Sequence, residues 1–226
     1  MTMRGPVTVL VGLSAVLAPY PASRPAPPVL DQCPAFRAVD RARLPTHLND
    51  DPTEQSLETA WASWANAPLD VNWRTANPVV SLRIWSSRAP LSTEDKAREV
   101  VARRSSSGWE AYARQNPDDP WGVWSPWRRV ELNDTVRSRI AALLADPCLW
   151  SAPRFMDAEI PLLGGGVDLR PDGPITGYDI SVEGRRWGGL YFSPRLGPPA
   201  QLRAILFAAA FGEPEWTDGD VAPEAA

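Results

Sequence analysis

The chain has 226 residues, 44% of them hydrophobic and 22% charged, with a formal charge of −4. Those proportions exclude a disordered polymer and fit a soluble globular domain. An acidic chain lacks the basic face of a general nucleic-acid binder, so nucleic acid is not expected as a partner.

Residues 1–26 read as a secretory signal peptide. Arg4 gives a positive start, Val7 to Ala18 is an apolar run, and the prolines between Pro19 and Pro28 break any helix. The run is shorter than the about 20 residues of a transmembrane helix, so no stable membrane span is expected after the leader is removed. Removal takes Arg4 and Arg24 with it and moves the charge from −4 to −6. Cys33 follows Asp31-Gln32 well beyond the apolar run, which disfavours lipid anchoring. The expected destination is outside the cytoplasm, periplasmic or secreted.

In the remainder, Asp51-Pro52-Thr53-Glu54 is a helix opening with a cap, a proline at the first helical position and a closing carboxylate. Leu57, Ala60, Trp61 and Trp64 follow at helical spacing, and Asn66-Ala67-Pro68 ends the run. Val79 to Trp85 alternates in the period of a half-buried strand. Ser92, with Glu94 and Asp95 behind it, predicts a second helix carrying Ala97, Val100 and Val101. A short helix is also expected over Trp109 to Arg114. Asn133 or Asp134 opens a further helix with Val136, Ile140, Leu143 and Leu144 on its buried side, stopped by Asp146-Pro147. Asn133-Asp134-Thr135 also matches a glycosylation triplet, and is read here as that helix cap.

After Cys148 strand signals dominate. Glu159 to Leu163 and Val167 to Arg170 flank Gly164-Gly165-Gly166 as a hairpin, and Tyr178 to Val182 turns at Glu183-Gly184 into Arg186 to Ser193. Pro198-Pro199 opens a last helix that stops at Gly212 and Pro214. These elements predict an α+β fold, with a helix-rich N-terminal half packed on a small antiparallel C-terminal sheet and a covering C-terminal helix. It would form a single domain over 27–212, followed by an acidic tail, 213–226, expected to be disordered.

Candidate chemistry is sparse. Cys33 and Cys148 are the only cysteines, which in an oxidising compartment predicts a disulfide. His47 is the sole histidine, and no second cysteine or histidine stands at ligand spacing, so no metal or cofactor is expected. Nucleophile-elbow, zinc-protease and phosphate-loop motifs are absent. Lys96, the only lysine, sits among Glu94, Asp95, Arg98 and Glu99. Arginine thus supplies 22 of the 23 cations, which with 25 prolines reads as the coding bias of a GC-rich bacterium; the functional reading is recognition of carboxylate or phosphate.

One catalytic pair is conceivable. Asp157 and Glu159 would share a face of a strand, as glycoside cleavage requires of two carboxylates, although charged residues at a strand start also serve to protect a sheet edge. Tryptophan is the compositional outlier, with eleven residues. Trp121, Trp124 and Trp127 recur every third position and run into Arg128 and Arg129, the residue types of interface anchors. The alternative is a loop held to the core by its own aromatics. The expected function is a non-catalytic binding or structural role in the cell envelope, with a glycan, a peptide or an envelope protein as partner. The competing reading is a small glycan-acting hydrolase built on the carboxylate pair.

Overall fold

The computed structural model describes Cys33 and residues 52–74, 77–87, 97–116, 123–156, 159–162, 165–169, 175–192 and 197–213. Residues 1–26, read above as a leader, and those beyond Glu213 lie outside the described residues, as do Asp157 and Trp121. The helices are α1 (Pro52–Asn66), α2 (Asp134–Ala145), α3 (Pro147–Ser151) and α4 (Gly197–Phe211). The strands are β1 (Val80–Ser86), β2 (Arg98–Ser105), β3 (Gly108–Gln115), β4 (Arg128–Val130), β5 (Phe155–Met156), β6 (Glu159–Leu162), β7 (Gly166–Leu169), β8 (Ile175–Val182) and β9 (Arg185–Phe192).

Seven strands form one sheet in the order β4-β3-β2-β1-β8-β9-β5. All neighbours are antiparallel except β5, which runs parallel to β9. β6 and β7 make a separate hairpin. This corrects the expected architecture. The sheet is large and mixed, four of its strands come from the N-terminal half, and that half is not dominated by helices.

The reason lies in residues 98–115. Glu99, Val101 and Arg103 alternate with Val100, Ala102 and Arg104, which is a strand period, and the β-branched pair Val100-Val101 favours a pleated surface. The charged positions resemble the wet side of a helix, yet Glu99 is 1% exposed. Likewise Glu110, Tyr112 and Arg114 alternate with Ala111 and Ala113 along β3, where a short helix was expected. Ser105 and Gly108 pair across the β2–β3 turn, and Gly108 adopts φ +117, a value that L side chains rarely take.

The two faces of the sheet differ. One carries Val80, Leu82, Ile84, Val100, Ala102, Ala111, Ala113, Tyr178 and Ile180, packed in one apolar core with Ile140 and Leu144 of α2, Leu149 of α3 and Leu202, Leu206 and Phe207 of α4. Burying each such large side chain contributes roughly 1.5–3 kcal/mol. Helix α2 is held at its start by Asn133, whose side chain accepts from Val136 N at 2.9 Å. Cys33 stands beside α3 at disulfide distance from Cys148, with Cα atoms 5.5 Å apart.

The opposite face is covered by α1 and by residues 67–74. Trp61 packs with Phe155 and Leu190 in a second, smaller apolar cluster. Its Nε1 donates to Tyr178 O at 2.7 Å. Along β2 and β3 this same face becomes polar, and there the sheet carries its charged residues.

Candidate functional site

Glu99 organises the polar face. Its Oε1 accepts from Arg83 Nε at 2.7 Å and from Trp64 Nε1 at 3.3 Å. Its Oε2 accepts from Arg114 Nε at 2.7 Å and lies 2.5 Å from Arg114 Nη2. Register explains the meeting: Glu99 stands opposite Arg114 on β3 and opposite Trp85 on β1, one strand from Arg83. Arg83 is also satisfied by the carbonyls of Trp64 and Ala67, at 2.6 and 3.0 Å. Two guanidinia share one carboxylate, so the cluster keeps one positive charge, on the side of the partly exposed Arg114.

Arg114 is met from the sheet edge by Trp124 and Trp127. The ring centroids lie 4.5 and 4.4 Å from its guanidinium carbon. An irregularity in the chain makes this possible. Ser125 N–H donates to Gln115 O at 2.9 Å, whereas Arg128 pairs with Ala113. Three steps on the outer chain therefore match two on β3, and the extra residue is a bulge of the kind that re-aims side chains. Trp127 Nε1 is buried and has no hydrogen-bond partner.

Beyond the bulge, β4 is the outermost strand, and Arg129 stands opposite Tyr112. Arg129 is exposed, and no carboxylate pairs with it among the described residues. Arg128 is also exposed but turns elsewhere, donating to Ala210 O with its guanidinium 5.2 Å from the Phe211 ring. Val123, just before the tryptophans, is 88% exposed. On the neighbouring stretch of the same face Trp73 meets Tyr112 edge-on at 5.3 Å and lies under Arg103 at 4.2 Å. Burial holds the Arg103 guanidinium below its ordinary pKa, opposed by the charge of Glu110.

Of the residues singled out in the sequence, the structure brings Trp124 and Trp127 together on Arg114 and sets Arg129 beside them. Arg128 points to the end of α4 instead. Both described tryptophans are half-buried, between the two outcomes expected of them. Glu159 opens β6 opposite Leu169, in the hairpin apart from the main sheet, and its intended partner Asp157 lies outside the described residues. Arg83, Glu99 and Arg114 were missed. The legible signal was the period-two pattern of 98–115, which places Glu99 and Arg114 on one face.

The wider use of tryptophan is also explained. Of the nine described tryptophans seven pack against a guanidinium: Trp61, Trp64, Trp73, Trp109, Trp124, Trp127 and Trp150. Such contacts contribute about 0.5–2 kcal/mol each, more as they are desolvated. Tryptophan richness here is foremost a way of seating arginines on a sheet.

Chemically the cluster offers N–H donors and flat aromatic surfaces. Both oxygens of Glu99 are taken by guanidinia, so it is no free base, and arginine does not give up its proton. Among the described residues no group of His, Cys, Asp and Glu could hold a metal ion, and no helix is long and apolar enough to cross a membrane. Comparison of the chain with family models, curated proteins and solved structures finds no match.

Proposed function

We propose that this is an exported, non-catalytic binding protein of the cell envelope, and that its contact surface is the β3–β4 edge. The observation that carries this reading is Arg129, exposed and without an ion pair among the described residues, on the strand next to an Arg114 held rigidly by Glu99, Trp124 and Trp127. Arginine and tryptophan held in fixed geometry lose little conformational entropy on meeting a partner, which is what an interface anchor needs. Export is supported by the reading of residues 1–26 as a leader and by the approach of Cys33 to Cys148.

The test is co-sedimentation of the chain lacking residues 1–26 with purified bacterial envelope fragments. The wild-type chain should be retained. Val123→Asp and Arg129→Gln should lower retention several-fold while leaving the melting temperature unchanged, since both side chains are exposed. A wild-type chain that stays wholly in the supernatant overturns the reading.

A further inference from the structure

We infer that Arg98 and Arg203 form a carboxylate-binding site at the end of α4, which the chain fills with its own Glu213 and which an outside carboxylate enters by displacing it. The site is on the other face of the sheet from Glu99 and does not depend on the role proposed for the β3–β4 edge. Arg98 opens β2 and shares the helix-covered face with Val100 and Ala102, while Arg203 comes from α4. They meet on the carboxylate of Glu213: Arg98 Nη1 donates to Oε1, and Arg203 Nη1 lies 3.5 Å from Oε2. Each oxygen thus faces a different guanidinium, a two-point grip that matches a flat carboxylate.

The two arginines are seated by contacts other than Glu213. The Arg98 guanidinium lies 5.1 Å from the Phe211 ring and that of Arg203 4.5 Å from the Phe207 ring, and the two rings meet edge-on at 5.4 Å. Cations resting on aromatic faces in this way are positioned before a carboxylate arrives. Arg203 is buried, whereas Arg98 is partly exposed and opens the site to solvent on one side. The helix itself does not attract an anion here: its C-terminal end carries the negative pole of the dipole and opposes a carboxylate. The guanidinia therefore account for the presence of Glu213.

Glu213 is also held in a way that lets it leave. Gly212 N–H donates to Ala208 O and closes the helix, and Gly212 turns the chain at φ +71. Glu213 stands beyond that turn, with its side chain 18% exposed. A rotation of this side chain empties the site without breaking a helix or sheet hydrogen bond. Glu99 is the contrast: it too serves two guanidinia, but within β2 and 1% exposed it cannot swing into solvent. A tethered carboxylate competes with free ones at an effective concentration on the order of millimolar. An outside carboxylate should therefore bind the wild-type chain weakly, and a chain lacking the Glu213 carboxylate more tightly.

Thermal melts in sodium acetate, with sodium chloride holding the ionic strength at about 0.3 M, test this. A ligand of the native state raises the melting temperature in a saturable way, so Glu213→Ala should melt below wild type and recover as acetate rises from about 1 to about 100 mM. The wild-type chain should need about tenfold more acetate or not respond. Glu213→Gln, a milder change of shape, should behave as Glu213→Ala does. Adding Arg98→Gln to either variant should abolish the response. Acetate that acts no better than chloride overturns the inference, as does a wild-type chain responding at the same concentration or a response that survives Arg98→Gln. Inorganic phosphate stabilising Glu213→Ala more than acetate would overturn the carboxylate assignment. Val123→Asp and Arg129→Gln should leave the acetate response intact, which separates a failure here from a failure of the β3–β4 edge.

Discussion

The indole of Trp61 fills the space that a side chain on Gly188 would need: a Cβ there would stand 2.3 Å from Trp61 Cζ2. Gly188 is thus the seat on which α1 reaches the sheet. Gly188→Ala should destabilise the fold by about 3 kcal/mol in chemical denaturation, the scale of forced overpacking. A smaller ring should relieve the ring's part of the clash, the Tyr178 O at 2.7 Å remaining, so Trp61→Phe combined with Gly188→Ala should lose less than the sum of the single changes. Gly189→Ala should be worse, since its Cβ would meet the backbone oxygen of Arg154 at 1.7 Å and a carbonyl cannot rotate away. An additive double mutant would show that the ring and the glycine are energetically independent.

Replacing Glu99 by Gln should cost about 3–5 kcal/mol, because Arg83, 5% exposed, would be left without its counter-charge. Arg114→Gln should cost less, since Arg114 is the more exposed of the two guanidinia. Thermal melts of the two variants, run together, give the order directly.

Protein purified without reductant should show no free thiol on titration with a thiol reagent under denaturing conditions. Cys33→Ser with Cys148→Ser should lower stability by up to about 5 kcal/mol, the loop-entropy limit for a closure of 115 residues. Two reactive thiols in the untreated protein would rule the bond out.

Tyr178 and Tyr191 are buried, and burial raises both phenols above their ordinary pKa. The unfolded chain then gives up these protons first, near pH 10, so folding stability holds below that pH and falls as it rises further. Absorbance near 295 nm should show these two phenols silent until the alkaline unfolding transition. Tyr178→Phe should remove the effect of one of them. Because the Tyr178 hydroxyl has no partner, that change should be neutral or stabilising at pH 7.

How far the sequence could be read depended on where polar residues ended up. α1 starts at Pro52, the position read from the sequence, and α2 is capped by Asn133, a local signal that works within one turn. The strands around Glu183-Gly184 were equally legible, because a tight turn and strict alternation are local signals. β2 and β3 were misread as helices, since the charges of Glu99, Arg103 and Arg114 suit a wet helix side as well as a polar sheet face. Their true surroundings depend on α1, on residues 67–74 and on β1, contacts that no pattern within 98–115 encodes. The site shared that fate. Trp124 and Trp127 stood out by spacing, but their partner is Arg114, on β3, and not the adjacent Arg128.

The bond between Cys33 and Cys148 spans β1 to β4 and both longer helices of that stretch, while β5 to β9 and α4 come after it. A protease cut anywhere between the two cysteines would therefore leave the pieces covalently joined as well as packed. A cut beyond Cys148 would leave only non-covalent contacts, among them the β1–β8 pairing, the Trp61–Tyr178 hydrogen bond and the apolar clusters, to retain the C-terminal piece. The molecule is thus built to survive nicking on one side of a single residue and not on the other, an asymmetry that would matter wherever it meets extracytoplasmic proteases.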